Sequence, residues 1–141
     1  MSHFTKLSIA AQQKHEVQLI EALEQHFGEG TVAVHESKVS LKDYAGYATK
    51  NKANLVITQA SQRKKANHNH LMVTELGYER NDEGTYECHY DNDGFNKKHQ
   101  DLVAKYYAEK VTKKTMAAQG FMVARKELDN GHIQLTCTKY A

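Results

Sequence analysis

The chain has no proline, no tryptophan and only two cysteines in 141 residues. Without proline-rich, repetitive or low-complexity tracts, nothing marks a linker, and the length fits one domain able to bury a core without metal or disulfide staples. Cys88 and Cys137 cannot make a disulfide framework in a chain of this size. No apolar run approaches 18 residues, so no transmembrane helix is expected. The first residues lack the apolar core of a signal peptide and read as folded sequence. A reducing, cytoplasmic compartment is the expectation, with no membrane contact. Charge of neither sign dominates: 19 basic and 17 acidic residues leave a net +2. The pI near 8.4 is too mild to imply nucleic acid by itself.

What is present is patterning. Phe4 to Ile9 reads as a first strand. From about Ala10 the period changes, and Val17, Ile20, Leu23 and Phe27 recur at helical steps before a capping Gly28. Thr31 to Val34, Val39 with Leu41, and Asn54 to Thr58 read as strands. Residues 59–70 hold no aliphatic side chain larger than Ala and carry Arg63, Lys64 and Lys65, as a polar, basic loop would. Leu71 to Tyr78 and Thr85 to Tyr90 flank Asn81-Asp82-Glu83-Gly84, which is hairpin chemistry. A second helix is predicted from about Asn96 to Gln119, ended by Gly120, with Val103, Tyr107, Val111, Thr115 and Ala118 as its buried ridge. Phe121-Met122-Val123 and Ile133 to Cys137 face each other across Asn130-Gly131, the strongest short hairpin signal in the chain. The predicted class is α+β: a single domain over residues 1–141, with two long helices packed on one face of a mostly antiparallel sheet, closed by the C-terminal hairpin.

Candidate chemistry is sparse. Nine histidines invite a metal, but His68-x-His70 sits beside Arg63, Lys64 and Lys65, and Cys88 and His89 are adjacent strand residues that point to opposite faces. Asp91-Asn92-Asp93-Gly94 lacks the glycine and terminal glutamate of a calcium loop and reads as a helix-capping turn. No nucleophile elbow, phosphate loop or His-Glu-x-x-His occurs. Glu79, Asp82, Glu83 and Glu87 cluster around a turn, where carboxylates are normally solvated. Neither a catalytic residue nor a cofactor is called for. The better candidate is a stripe on the second helix carrying Lys98, Leu102, Lys105, Tyr106 and Lys113. Extended by Arg63, Lys64 and Lys65, it would suit an acidic protein partner or a single-stranded nucleic acid stacking on Tyr106. The bland reading is a solvated helix face with Tyr106 laid against a neighbour.

Met1-Ser2-His3-Phe4-Thr5, Gly77-Tyr78, Gly84, Tyr86-Glu87, Tyr107, Gly120-Phe121 and Asn130-Gly131 together resemble a family of cyanobacterial, red-algal plastid, bacterial and phage proteins that begin Met-Ser-His-Phe-Ser/Thr. The resemblance covers both ends and the hairpin from Leu71, but not Lys38 to His70. It carries over no catalytic residue, because that family has no established activity. Bacterial members lie beside genes for AAA-type ATPases, so the resemblance implies a partner or adaptor role. His3 is a candidate pocket-edge residue, or an anchor bonding the N-terminus to a backbone carbonyl. The expectation is a non-enzymatic binding or adaptor protein acting through protein contacts. The alternatives are an RNA- or single-stranded-DNA-binding protein, and a small-ligand binding or sequestering protein or an enzyme with an unrecognised site.

Overall fold

In a computed structural model, which describes residues 4–43, 45–58, 75–91 and 95–139, the chain starts at one edge of a sheet and crosses to the other. Strand β1 (Phe4–Gln12) leads through a single 3-10 turn (Gln13–His15) into helix α1 (Glu16–Phe27). Helix α1 crosses one face of the sheet, and Gly28 ends it at φ 113°, a conformation that disfavours a side chain. From there β2 (Val32–Lys42), β3 (Ala48–Ile57), β4 (Leu76–Arg80) and β5 (Thr85–Asp91) meander back until β5 pairs with β1. The resulting five-stranded sheet is antiparallel throughout, in the order β1-β5-β4-β3-β2. Helix α2 (Phe95–Ala118) returns over the same face and packs on α1. A separate two-stranded sheet, β6 (Phe121–Glu127) with β7 (Ile133–Lys139), follows.

The front of the sheet and the two helices share the main core. In β4 and β5, Leu76, Tyr78, Tyr86, Cys88 and Tyr90 alternate toward the helices. Against them lie Leu19, Leu23 and Phe27 of α1 and Val103 and Tyr107 of α2. Each large apolar side chain taken out of water here contributes about 1.5–3 kcal/mol. Polar ties fix the helices: His26 Nε2 and His99 Nδ1 lie 2.8 Å apart at the α1–α2 contact, so one ring donates and the other accepts. The Gln12 amide donates to the Tyr107 hydroxyl at 2.9 Å.

The opposite face carries a second, smaller cluster. Register shifts between Val34 and Val39, and again between Ser40 and Lys42, bend β2. Leu41 thereby packs with Ala53, Val56 and Val39, reaching across to β4 two strands away. Asn54 compensates the irregular backbone: its amide donates to the His35 and Glu36 carbonyls at 3.1 Å, and its oxygen accepts the Arg80 amide at 2.9 Å.

Several sequence expectations shift. The first helix begins at Glu16 rather than Ala10 because β1 continues to Gln12 with a bulge, so only one helix is long, at 24 residues against 12. Val17 is 61% exposed, and Leu19 takes its place in the core. The α2 ridge is buried at Val103 and Tyr107, half-buried at Val111 and exposed at Thr115 and Ala118. At 1.5 Å per residue the helix is about 36 Å long and overruns strands of five to eleven residues. The C-terminal hairpin therefore does not close the main sheet: it packs on the overhanging end of α2. His3, the loop at 59–70 and the turn at 92–94 lie outside the described residues.

Gly77 generates a test. A Cβ there would sit 2.6 Å from the Ala53 Cβ and 2.8 Å from both Leu41 methyls. Gly77→Ala should cost about 1–3 kcal/mol through overpacking, read as a lower denaturant midpoint. An unchanged midpoint would mean that the β2–β3 hairpin does not press on β4.

Candidate functional site

Part of the proposed stripe on α2, at Lys105 and Lys113, borders the seat of the β6–β7 hairpin. Lys98 is exposed, but the Lys105 ammonium donates to the Gly131 carbonyl at the hairpin tip. Lys113 Nζ lies 3.2 Å from Glu109 Oε2, while Arg125 Nε of β6 donates to Glu109 Oε1 at 2.7 Å. Tyr106 is half-buried, packs against the core and stands 6.2 Å from the His26 ring. These residues follow one helix ridge, as the i, i+4 spacing of Lys105, Glu109 and Lys113 requires. Sequence reasoning passed over Glu109, the residue at the centre of the contact. That spacing was the available signal. Burial tends to raise the Glu109 carboxyl, but the bonds and charges of Arg125 and Lys113 hold it below the ordinary value of 4.5. Lys114, which a fully buried ridge would force to snorkel, is simply exposed because the helix has passed the sheet.

Two clefts flank this junction. One of about 420 Å³ runs between α2 and the hairpin past Lys105, Ala108, Thr112, His132, Ile133 and Leu135. Another of about 410 Å³ is lined by Lys113, Ala117, Phe121, Met122 and Val123. Met122 is 55% exposed. Among the described residues the hairpin strands pair only with each other, so both outer edges carry unpaired backbone groups. Residues 105–139 hold seven Lys or Arg against three Asp or Glu, more positive than the whole chain at +2.

No family model, curated protein or solved structure matches the chain. Its surfaces therefore have to be read from their own chemistry.

The carboxylates expected to cluster at the β4–β5 turn separate. Asp82 and Glu83 are exposed at the tip, whereas Glu79 and Glu87 stand directly opposite on the back of the sheet. Like charges in such a pair repel. His89 Nε2 lies 2.9 Å from Glu79 Oε1, and Lys38 Nζ 3.1 Å from Glu79 Oε2. Burial would raise the Glu79 carboxyl, but these two partners bring it below its ordinary value. Glu79, Glu87 and His89 offer ligand atoms within 4.8 Å of one another. One imidazole and two carboxylates match a divalent transition-metal set, but Lys38 and His89 already engage both oxygens of Glu79. The group is a cross-strand cluster in which Glu79 is bonded to both Lys38 and His89. Cys88, as expected, faces away from His89 into the core, and Cys88 and Cys137 are both free thiols.

A third polar group ties α1 to the sheet. Arg80 donates to Glu16 Oε1 through Nη2 at 2.7 Å and Nε at 3.1 Å, and the Tyr86 hydroxyl donates to the same oxygen. Burial and then Glu16 push the Tyr86 hydroxyl up to about 12, so it stays a donor. Glu16 also sits in the first turn of α1, where the helix dipole favours a carboxylate. Burial works against its ionisation, yet Tyr86 and Arg80 hold it below its ordinary value.

Glu16, Glu79 and Glu109 all have depressed folded-state values. Their contribution to stability is therefore complete above the unfolded value near 4.5 and is lost as pH falls through the folded values. The melting temperature should drop steeply below about pH 4.5, and Glu79→Gln should flatten that limb in a pH-resolved melting series. Glu109→Gln should act locally: amide exchange should accelerate across β6 and β7 but not in β3, β4 or β5. Equal acceleration everywhere would show that the hairpin does not open on its own.

Proposed function

We propose that the chain is a non-enzymatic binding module whose overhanging α2 end and β6–β7 hairpin dock an acidic, partly apolar segment of a protein partner. The observation that carries this reading is the hairpin itself: an amphipathic two-stranded sheet held mainly by one helix, with both edges unpaired among the described residues. Isolated two-stranded sheets are marginal in water and gain most from another layer or strand. An extended peptide could add to an outer edge while its apolar side chains enter the cleft at Phe121, Met122 and Val123. The local excess of Lys and Arg would attract carboxylates on that segment. An adaptor beside an AAA-type ATPase, as the Met-Ser-His-Phe resemblance implies, is one setting for such a surface.

A protein is favoured over nucleic acid because Tyr106, the intended stacking platform, packs against the core, while Lys105 and Lys113 are engaged within the chain. Lys98 adds an exposed positive charge near the start of the helix. Among the described residues, no helix is long and apolar enough to cross a membrane.

The test compares affinity capture by the tagged chain with capture by a Met122→Asp variant, each with and without nuclease. Met122 is exposed, so the variant should melt like the parent yet capture at least about tenfold less of a defined partner, the loss expected of a buried interface anchor. Unchanged capture would rule out the hairpin as the docking surface. Loss of all partners after nuclease treatment would instead establish the nucleic-acid reading.

A further inference from the structure

The β2–β3 hairpin bends over the back of the sheet and has two unlike sides. Leu41 and Ala53 are buried on the inner side, where they press toward Gly77 of β4. Their chain neighbours Lys42 and Lys52 are exposed, as alternation along a strand requires, and Lys50 is exposed two residues before Lys52. The pairing of Lys42 with Ala48 and of Ser40 with Lys52 gathers the three lysines on one short stretch of ribbon. None of the three has an ion-pair partner among the described residues, whereas Lys38 of the same hairpin is held 3.1 Å from Glu79. The nearby carboxylates are bonded to backbone: Asp43 Oδ1 accepts the Ala45 and Tyr47 amides, and Glu75 Oε1 accepts the Lys42 amide. At the tip, Tyr47 is 73% exposed. Its backbone is nonetheless fixed from two sides, because its carbonyl accepts the Asp43 amide and its amide donates to Asp43 Oδ1, both at 2.9 Å. The result is an aromatic ring left in water on a hydrogen-bonded turn, beside three unengaged ammonium groups.

We propose that the outer side of the β2–β3 hairpin binds single-stranded nucleic acid, with one base stacked on Tyr47 and phosphates lying along Lys42, Lys50 and Lys52. Lys50 and Lys52 stand about 6.7 Å apart at the β rise, which suits successive phosphates of an extended strand. The mild charge of the whole chain conceals this patch, because residues 38–52 hold four lysines against one aspartate. A ring on a fixed turn loses little freedom on stacking, and every base offers it a π-face. A duplex fits less well, since its bases already stack on one another. A membrane surface fits less well too: among the described residues of the tip, the exposed neighbours of Tyr47 are Ala45, Gly46 and Ala48, too small to anchor in lipid. An acidic peptide would satisfy the lysines and leave the ring unused. The α2 stripe lacks this combination, because there Tyr106 is packed and Lys105 and Lys113 are engaged. The hairpin surface belongs to β2 and β3 and is independent of the docking surface at Met122.

The test titrates labelled oligo-dT and oligo-U with the full chain by fluorescence anisotropy, with polyglutamate and phosphatidylserine vesicles as the competing classes. At least one oligonucleotide should bind at low salt, and the ratio of the two reports whether the 2′-hydroxyl is read. Log affinity should fall by about two per decade of salt, the slope for three phosphates on a single strand. Tyr47→Ala should weaken binding about five- to hundredfold, the worth of one stacked base, while Tyr47→Phe stays within about twofold of the parent. Lys50→Glu combined with Lys52→Glu should bring the salt slope to about one or less. Lys14→Glu, the same charge change on an exposed lysine outside the hairpin, should leave the slope unchanged. All of these side chains are exposed, so each variant should melt like the parent. The proposal fails if neither oligonucleotide binds, or if polyglutamate or the vesicles bind more tightly than both. It fails equally if Tyr47→Ala and the lysine pair fold and bind as the parent does.

Discussion

The structure depends on one packing event, the seating of Val103 and Tyr107 of α2 on the front of the sheet beside Leu19, Leu23 and Phe27 of α1. An antiparallel sheet with an apolar face needs a cover, and both helices supply it. Helix α1 is short because it needs only to carry the chain from one edge strand to the other. Helix α2 is long because its first half serves as roof and its second half as a platform. The His26–His99 contact and the Gln12–Tyr107 bond tie the roof to both the neighbouring helix and the first strand.

Polar groups divide between fastening and exposure in a way that composition conceals. Glu16, Glu79 and Glu109 each sit between two partners, and each joins separate elements: α1 to β4 and β5, β2 to β4 and β5, and α2 to β6. Such bonds contribute modestly to stability, but they fix register and orientation where hydrophobic burial is indifferent to both. They also draw charge away from the surface that net composition would assign to a partner. What stays outward on the C-terminal arm is a lysine-rich helix end and an amphipathic ribbon with open edges.

Local signals were legible in the sequence where backbone chemistry dictates them. Gly28 and Gly120 end the helices, Asn130-Gly131 turns the last hairpin, and alternation in Thr85 to Tyr90 separates core from back face. Long-range placement was not legible. A helical period reports that one face is apolar, but not how far the neighbouring sheet extends, so the α2 ridge was read as buried past Val111. Val17 fitted the period of α1 and still faces water, while Leu19 is buried in the core. Within the lysine–tyrosine stripe, Lys105 bonds to the chain's own hairpin, Lys113 to Glu109 of the same helix, and Tyr106 packs on the core. Nothing short of the fold could reveal that, since Glu109 and Arg125 meet across two elements.

The crossing of α1 has a consequence for how the sheet is assembled. Strands β2 to β5 follow one another through the sheet and need only neighbouring pairings, whereas Leu7 must find Cys88 with most of the domain between them. Closing that long loop costs chain entropy that nearest-neighbour hairpins avoid. Strand β1 docks at the edge that β5 provides, and it is held there by backbone pairing and by the Tyr107 hydroxyl that receives the Gln12 amide. The β1–β5 pairing is accordingly the one in this sheet whose closure spans the most chain.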